Sequence, residues 1–291
     1  MIVLGADVGG TSTRVALFRN DIERGRAEAP GGPMRAGSGE ALAVRLAELA
    51  RPLLLRDDGP RADTFVVGAS GAGRELECNE LRMALERQRV AWRVMVVSDA
   101  ELARADAFEG AAGVLLIAGT GSIAIARDER GTARRVGGLG WRMGDQGSGY
   151  WLGAHALEAV GAMLDSLGPP TRLAEALCAS ARVPGIAALV RWSTTAAPQD
   201  VAALGPAVVE CANGGDAVAI TLRDAAVDGL VALAVGAGAG PLPVALSGGL
   251  LAPDRPLRER VGRALLQRHG AAVVKRALDP CRGALVLAKG R

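Results

Sequence analysis

Two short glycine turns in this sequence carry the residue types that bind phosphate. Residues 119–122, Gly-Thr-Gly-Ser, follow an apolar run, and the stretch Asp-x-Gly-Gly-Thr at 7–11 follows another about 110 residues earlier. Glycine lets a ligand approach the backbone closely, and backbone amides and hydroxyls donate hydrogen bonds to phosphate oxygens. One such turn alone is typical of an ordinary hairpin, but two, one of them beginning at a carboxylate, indicate phosphate binding.

The second turn also matches G-x-G-x-x-A, the fingerprint of a dinucleotide-binding turn. That fingerprint opens a helix, whose N-terminus receives the pyrophosphate. Here residues 123–127, Ile-Ala-Ile-Ala-Arg, alternate as a strand does and end at a charged turn. No acidic residue ends a second strand about 20 residues on, as ribose recognition requires. The sequence also lacks a P-loop, G-x-x-x-x-G-K-[ST]. A hairpin turn is therefore favoured over an NAD site.

Composition argues against several other classes of protein. The net charge is +3 and no basic cluster is interleaved with aromatic residues, so we expect no nucleic-acid partner. Four widely spaced cysteines and two histidines predict neither a zinc site nor a disulfide framework, and they fit the cytoplasm. No signal peptide is expected. The uncharged run 230–253 contains five glycines together with Pro241 and Pro243, which favours helix end, loop, strand and turn over a membrane span.

Apolar periodicity predicts the elements that position these turns. Strands are predicted at 2–7, 12–19, 64–69, 92–98, 114–118, 123–127, 133–136, 244–247 and 271–275, and helices at 40–56, 75–89, 100–108, 150–167, 257–268 and from 282, with 171–235 mostly helical. The order strand, Gly/Thr turn, strand occurs twice. This weak repeat favours two related α/β lobes with a cleft between them over two hairpins that are similar by chance. We predict an N-terminal lobe of residues 1–108 plus 272–291 and a C-terminal lobe of residues 109–271.

Five motifs, in this order, resemble the superfamily of sugar kinases, Hsp70 and actin, and within it the N-acetylglucosamine/glucosamine kinase group, the BadF/BadG/BcrA/BcrD-type ATPases. They are Asp7-x-Gly9-Gly10-Thr11, Ser98-Asp99, Gly119-Thr120-Gly121-Ser122, Gly144-Asp145-Gln146-Gly147-Ser148 and Ser247-Gly248-Gly249. Each motif is weak alone, but together they are fairly specific and cover most of the chain. The resemblance implies two ribonuclease H-like (actin-like ATPase) lobes and a homodimeric, ATP- and Mg²⁺-dependent kinase of a hexosamine.

The resemblance also implies a role for each residue of these motifs. Asp7 would hold Mg²⁺, through water; Gly9, Gly10 and Thr11, with Gly119, Thr120, Gly121 and Ser122, would hold the β- and γ-phosphates; Gly248 and Gly249 would lie against the adenosine; Asp99 would be the general base on the sugar hydroxyl; and Asp145 with Gly138, Leu139 and Gly140 would bind sugar hydroxyls.

The residues taken alone leave alternatives to three of these roles. Asp99 follows a predicted strand, where a carboxylate can serve phosphoryl transfer, but Ser98-Asp99 also begins a predicted helix and so fits an N-cap. Asp7 also fits a turn cap, and Asp145 a solvated carboxylate in a polar loop. Arg142, near Asp145, faces either the phosphate, the acceptor or only solvent.

Four acceptor-side positions depart from animal N-acetylglucosamine kinases. Met34 and Ile123 stand where those enzymes have Asn, Leu139 where they have Trp, and Gln146 where they have Glu. The phosphate motifs are intact. The acceptor is therefore open between glucosamine, N-acetylglucosamine and another hexose.

Two rival functions remain at this stage. An ATPase activator of an acyl-CoA dehydratase needs clustered thiolates for an iron–sulfur cluster, which the scattered cysteines disfavour. A non-catalytic ATP-binding regulator or scaffold would not need Asp99, and no helix-turn-helix segment is expected ahead of the first strand. ADP release that depends on added sugar would distinguish a kinase from both.

Overall fold

The computed structural model describes residues 1–10, 12–32, 34–57 and 59–290 and contains two compact α/β units. Unit 1 comprises residues 1–112 and 276–291, and unit 2 comprises residues 113–275. The sequence predicts these boundaries after residues 108 and 271.

Unit 1 is built on a five-stranded sheet with the order β3-β2-β1-β4-β5. The strands are β1 (Ile2–Val8), β2 (Ser12–Arg19), β3 (Ile22–Pro30), β4 (Ala62–Ala69) and β5 (Ala91–Ser98). The first three form an antiparallel meander, and β4 and β5 run parallel to β1. The carboxyl ends of β1, β4 and β5 therefore meet at one edge of the sheet.

Helices cover both faces of this sheet. They are α1 (Gly39–Arg56), α2 (Glu75–Gln88), α3 (Asp99–Phe108) and, from the end of the chain, α11 (Pro280–Ala288). Alternating strand residues divide between two apolar clusters: Leu4 lies in the cluster with α1 and α2, and Val3 in the cluster with α3 and α11. Both faces are thus buried, as a sheet with parallel strands requires.

Unit 2 contains a four-stranded sheet with the order β8-β7-β6-β9 and a helical layer with one continuous apolar core. Its strands are β6 (Gly113–Ala118), β7 (Ser122–Arg127), β8 (Ala133–Gly137) and β9 (Val244–Ser247). Its helices are α4 (Gly149–Leu164), α5 (Leu173–Ser180), α6 (Ile186–Ser193), α7 (Pro198–Ala202), α8 (Gly205–Asn213), α9 (Ala217–Ala237) and α10 (Pro256–His269), with a 3₁₀ turn at Gly249–Leu251. Across the four described ranges, no helix has both the length and the apolar character of a membrane span.

The two sheets share one topology. In each, an antiparallel meander of three strands is followed by a strand parallel to the first, β4 in unit 1 and β9 in unit 2. A Ser-Gly pair stands at the end of each of these strands: Ser70-Gly71 follows β4, and β9 ends at Ser247 before Gly248; the two glycines have φ values of +89° and +93°. This agreement in topology and turn conformation supports duplication over a chance similarity of two hairpins.

The structure differs from the predicted elements in two places. The predicted strand 271–275 is wrong, because only an isolated bridge joins Val273 to Val244 beside the four-residue β9. Conversely, β3 was not predicted, since its sequence, IERGRAEAP, is charged and lacks apolar alternation. It forms because it lies at a sheet edge, where most side chains are exposed or half-buried and pairing with β2 satisfies one side of its backbone.

Candidate active site

Asp7 lies at the carboxyl end of β1, paired in register with Arg14 on β2 and Gly68 on β4. Burial raises the pKa of Asp7 to about 6, with further raising by the negative charges of Asp99 and Asp279 and partial opposition from Arg14. A half-buried carboxylate close to other carboxylates is stabilised by a cation. The described residues include no group of three or more His, Cys, Asp and Glu side chains arranged to hold a metal. A metal here would take its remaining ligands from water and phosphate, as Mg²⁺ commonly does.

Asp99 is the first residue of α3 and directly follows β5. The helix is capped by Ser98, whose Oγ accepts a hydrogen bond from the amide of Glu101 at 3.1 Å. The Asp99 carboxylate accepts from the Ala100 amide at 2.9 Å, and burial raises its pKa above the usual value. Ser98 therefore performs the capping that was the alternative role for Asp99, and Asp99 is left as a carboxylate of increased basicity at a strand end.

The turn of unit 1 is closed by its own backbone. The amide of Gly9 donates to the carbonyl of Ser12 at 2.9 Å, and the carbonyl of Gly9 accepts from Gly32 at 3.1 Å. A Cβ built on Gly10 would meet no atom within 4 Å, so the space beside this residue is open. Thr11, the third predicted phosphate contact, lies outside the described residues.

The turn of unit 2 closes in the same way. The amide of Gly119 donates to the carbonyl of Gly121 at 2.9 Å, and a Cβ on Gly119 would enter open space. Among the described residues, the amides of Thr120 and Gly121 have no backbone acceptor. These two amides are therefore available to a ligand.

The Asp145 side chain stabilises this second turn by accepting a hydrogen bond from its backbone. Its Oδ1 accepts from the amide of Ser122 at 3.0 Å, and the Ser122 hydroxyl donates to the carbonyl of Gln146 at 2.8 Å. Asp145 is only 7 % exposed and adopts φ +65°, so the solvated-loop interpretation of this residue is wrong. Both donors of Ser122 are used within unit 2. The geometry thus favours Ser122 as a residue that fixes the turn over its expected direct contact with phosphate.

The N-terminus of α4 fixes the same turn. The amide of Gly149 donates to the carbonyl of Gly119 at 2.8 Å, and that of Tyr150 to the carbonyl of Thr120 at 3.1 Å. The loop 137–148, which we call the acceptor loop after its predicted role, is therefore tied at its end to the turn 119–122. The sequence could not reveal this contact, because it joins residues separated by a glycine-rich loop whose conformation is not set by local propensity.

The start of the acceptor loop is hydrogen-bonded to Ser122, the first residue of β7. Gly138 donates from its amide to the carbonyl of Ser122 at 2.9 Å, and Arg135 donates to the carbonyl of Gly138 at 2.6 Å. Leu139 is 63 % exposed, and the carbonyl of Gly140 turns back to accept from the amide of Gly144 at 3.0 Å. Three of the predicted sugar-binding positions, Gly138, Leu139 and Gly140, therefore lie in one exposed turn.

An aromatic group on this loop was missed by the sequence analysis. The Trp141 and Tyr150 ring centroids are 5.1 Å apart with a 47° interplanar angle, and the Arg142 guanidinium carbon lies 4.6 Å from the Trp141 centroid. The signal available was the scarcity of aromatic residues, with one Tyr and four Trp in the chain.

The predicted adenosine turn divides into a buried and an open glycine. A Cβ on Gly248 would overlap the carbonyl of Ala118, the residue just before the phosphate turn, whereas a Cβ on Gly249 would meet nothing within 4 Å. Gly248 is required by backbone packing. Gly249 alone offers the open surface on which a nucleoside could lie.

Arg258, on α10, holds this turn and was not identified from the sequence. Its guanidinium donates to the carbonyls of Leu246 at 2.8 Å and Leu251 at 2.7 Å, and more weakly to that of Val274 at 3.4 Å. Burial lowers its pKa from the usual value. The Arg258 side chain thus links the residues on both sides of Gly248 and Gly249 to Val274, in the segment that lies beside β9.

Comparison with protein families gives a match over nearly the whole chain. The model of the BadF/BadG/BcrA/BcrD ATPase family matches residues 4–288. An N-acetyl-D-glucosamine kinase of Dictyostelium discoideum is 27 % identical, over 99 % of this chain and 97 % of its own length. A glucosamine kinase of Vibrio cholerae is 31 % identical over 75 % of this chain and 74 % of its own. An N-acetylmuramic acid/N-acetylglucosamine kinase of Clostridium acetobutylicum is 31 % identical, and this chain spans 57 % of that relative.

Solved structures agree with the fold. A Chromobacterium violaceum protein, with a proposed assignment as an N-acetylglucosamine kinase, superposes with a TM-score of 0.81 at 28 % identity over 98 % of both chains. A ROK hexokinase of Thermus thermophilus gives a TM-score of 0.59 at 18 % identity over both full lengths, which bears on fold alone. The predicted actin-like ATPase fold class is confirmed.

Proposed function

Because the chain belongs to the BadF/BadG/BcrA/BcrD ATPase family, we propose that it is a kinase that transfers the γ-phosphate of ATP to a hydroxyl of an amino sugar. The relatives described above are named as kinases of glucosamine or of N-acetylated hexosamines. The observation that carries the proposal is the pair of carboxylates with raised pKa, Asp7 and Asp99, at the carboxyl ends of two strands of one sheet. Ligands of open α/β sheets bind at such edges.

Asp99 is proposed as the general base. As the sugar oxygen forms its bond to the γ-phosphorus, the bond from phosphorus to the bridging oxygen of ATP breaks and ADP leaves; the hydroxyl proton passes to the Asp99 carboxylate. Burial raises the pKa of Asp99, and a more basic carboxylate accepts this proton more readily. The hydrogen bond from Ala100 orients one oxygen.

Magnesium would be held at Asp7, through water. The burial and neighbouring negative charge that raise the pKa of Asp7 also make a cation favourable there, so the residues fit the ion. When bound, Mg²⁺ neutralises phosphate charge during phosphoryl transfer.

The phosphate groups of ATP are proposed to lie against the two glycine turns. In unit 1, Gly10 and Thr11 would contribute backbone donors, with open space beside Gly10, while Gly9 uses its amide to close the turn on Ser12. In unit 2, the amides of Thr120 and Gly121 are the available donors, and Ser122 keeps the turn in shape.

The nucleoside and the acceptor are proposed to contact different parts of unit 2. Gly249 would lie against the adenosine, and Gly248 would set the position of the turn. The exposed turn 138–140 would meet the sugar. Asp145 uses Oδ1 for Ser122, and no described residue donates a hydrogen bond to its Oδ2, which would therefore accept from a sugar hydroxyl.

We also propose a cytoplasmic, homodimeric enzyme. A supply of ATP and four cysteines without disulfides fit a reducing compartment. Sedimentation of the purified chain would test the dimer.

Sugar-dependent ADP release tests the function itself. ADP formation would be followed with Mg·ATP alone and with glucosamine, N-acetylglucosamine, N-acetylmuramic acid, glucose and mannose derivatives. We expect at least one amino sugar to stimulate release well above the sugar-free rate, with a phosphorylated sugar as the second product. Equal rates with and without every sugar would contradict the proposal and favour an ATPase.

A further inference from the structure

The acceptor loop presents a guanidinium that no step proposed above uses. The Arg142 group is stacked 4.6 Å from the centre of the Trp141 ring, and Trp141 in turn packs against Tyr150 at the start of α4. Stacking of this kind holds the plane of the guanidinium without consuming its N–H donors. The guanidinium of Arg142 is therefore oriented, and its N–H donors remain available to a ligand.

The loop contains two charged residues, Arg142 and Asp145. None of the ion pairs among the described residues involves Arg142. The only carboxylate of the loop, Asp145, is buried and bonded to Ser122. Arg135, beside the loop, donates to the carbonyls of Gly137 and Gly138. The exposed surface of the acceptor loop thus carries positive charge and no carboxylate.

Such a surface can receive an anionic group in addition to the sugar hydroxyls that Asp145 and the turn 138–140 would bind. Neutral sugars present hydroxyls, which a site commonly binds with both donors and acceptors, whereas a guanidinium only donates. Its planar fork matches the two oxygens of a carboxylate. An arginine that has no acidic partner among the described residues and is held by an aromatic ring is prepared to receive one from a ligand.

We propose that Arg142, oriented by Trp141, is a subsite for a carboxylate substituent of the acceptor, so that the enzyme favours a hexosamine that carries such a group over its neutral parent. The inference rests on the proposed amino-sugar kinase function and adds a substrate class to it. Arg142 is a specificity-determining residue, and Asp99 remains the base for either sugar.

Two sugars that differ only in the anionic group test the proposal. N-acetylmuramic acid is N-acetylglucosamine with a lactyl ether, and its carboxylate is the probe. We expect Arg142→Gln to lower kcat/KM for N-acetylmuramic acid about 10- to 100-fold more than for N-acetylglucosamine, because a charge-assisted hydrogen bond is lost only with the acid. Arg142→Lys keeps the charge without the fork and should fall between. Trp141→Ala should shift the ratio in the same direction by a smaller factor.

Arg134→Gln is the matched control, since Arg134 is an exposed arginine on β8 outside the acceptor loop. It should leave the ratio of the two kcat/KM values unchanged. Equal losses on both sugars, a rise in the KM for ATP alone, or a native enzyme that uses N-acetylglucosamine but not N-acetylmuramic acid would each overturn the subsite. Absence of ADP release with any sugar would instead refute the kinase function on which it rests.

Discussion

The two units contain the same meander and parallel strand, but the carboxylates described above have different surroundings in each. In unit 1, burial raises the pKa of both Asp7 and Asp99, and the hydrogen bond from the Ala100 amide does not offset it for Asp99. In unit 2, Asp145 is buried yet accepts the amide of Ser122 and holds a turn. Unit 1 thus keeps two carboxylates that favour a proton or a cation, whereas unit 2 uses Asp145 to position a turn.

The sheets differ at the edge as well. In unit 1, β4 is paired along its length by β5, and the register runs from Ala62 to Ala69. In unit 2, the equivalent neighbour of β9 is reduced to the bridge at Val273, and Arg258 binds carbonyls on either side of the Ser-Gly-Gly turn. A side chain thus replaces strand pairing in holding the turn of unit 2.

The largest expected effect tests whether Asp99 is chemical and Ser98 structural. Asp99→Asn should lower kcat by roughly 10²–10⁴-fold while ATP affinity is kept, because the base is lost and the backbone contact is not. Ser98→Ala should show the reverse: a stability loss of about 1 kcal/mol from the missing cap, with most turnover retained. Steady-state ADP release and denaturant unfolding of both variants measure this. Near-normal turnover in Asp99→Asn would show that Asp99 is not the general base.

Two substitutions at Asp145 separate positioning from acceptor binding. In Asp145→Asn the side-chain oxygen can still accept from Ser122, so the KM for ATP should stay within a few-fold, while the KM for the sugar rises about tenfold from the lost charge. In Asp145→Ala the turn loses its support, so both KM values should rise, by roughly 10- to 100-fold. Unchanged ATP affinity in Asp145→Ala would show that unit 2 does not use this carboxylate for positioning.

A measurement of folding stability tests whether the ionised Asp7 carboxylate is unfavourable in the ligand-free protein. Its folded pKa of about 6 lies above the ordinary value of 3.8, so its ionisation opposes folding, and this cost grows as pH rises from about 4 to 6 and is complete above that. Asp7→Asn should therefore stabilise the ligand-free protein by about 1–3 kcal/mol at pH 7.5, with the gain fading towards pH 4, while Mg·ATP turnover is lost.

The control for this prediction is Asp279→Asn, because Asp279 is a neighbouring carboxylate that is paired with Arg26 at 2.5 Å. Loss of that partner should destabilise the protein at pH 7.5. Urea unfolding of both variants at pH 7.5 and pH 5 provides the comparison. If Asp7→Asn also destabilises at pH 7.5, Asp7 is satisfied in the free protein and the contrast between the units fails.

The sequence predicts the strand ends well, because β1, β5 and β6 are apolar runs that stop at a polar residue or glycine. It therefore predicts the positions of Asp7, Asp99 and both glycine turns at strand ends. It does not predict that Asp145 reaches Ser122, since this contact depends on left-handed backbone at Asp145 and neighbouring glycines. Arg258 was unpredictable for another reason: arginine is common throughout the chain, and only tertiary packing distinguishes this one.

Matched alanines at the open glycines test whether both turns meet phosphate. Gly10→Ala and Gly119→Ala each add a methyl group to open space, so the fold should be unaffected while ATP affinity falls by about tenfold. Gly121 is a poor choice, because its added Cβ would meet the Asp145 carboxylate at 2.8 Å. Nucleotide titration with thermal unfolding as a check measures the pair. A loss in only one variant would assign phosphate to one unit.

The smallest expected effect concerns the side chain that replaces strand pairing in unit 2. Arg258→Met removes the bonds to Leu246 and Leu251, which fix the turn at Gly248 and Gly249. If that turn meets adenosine, the KM for ATP should rise about 3- to 10-fold with kcat and the sugar KM preserved. Arg258→Lys, which keeps one donor to a carbonyl, should recover part of the loss.

Arg263→Met is its control, since Arg263 lies on the same helix and forms an exposed surface pair with Glu259. It should leave all three constants unchanged. A purely structural Arg258 would lower the unfolding temperature and the active fraction without moving the KM for ATP. That result would show that the contacts of Arg258 do not affect nucleotide binding. The difference between the two sheets would then matter for folding alone.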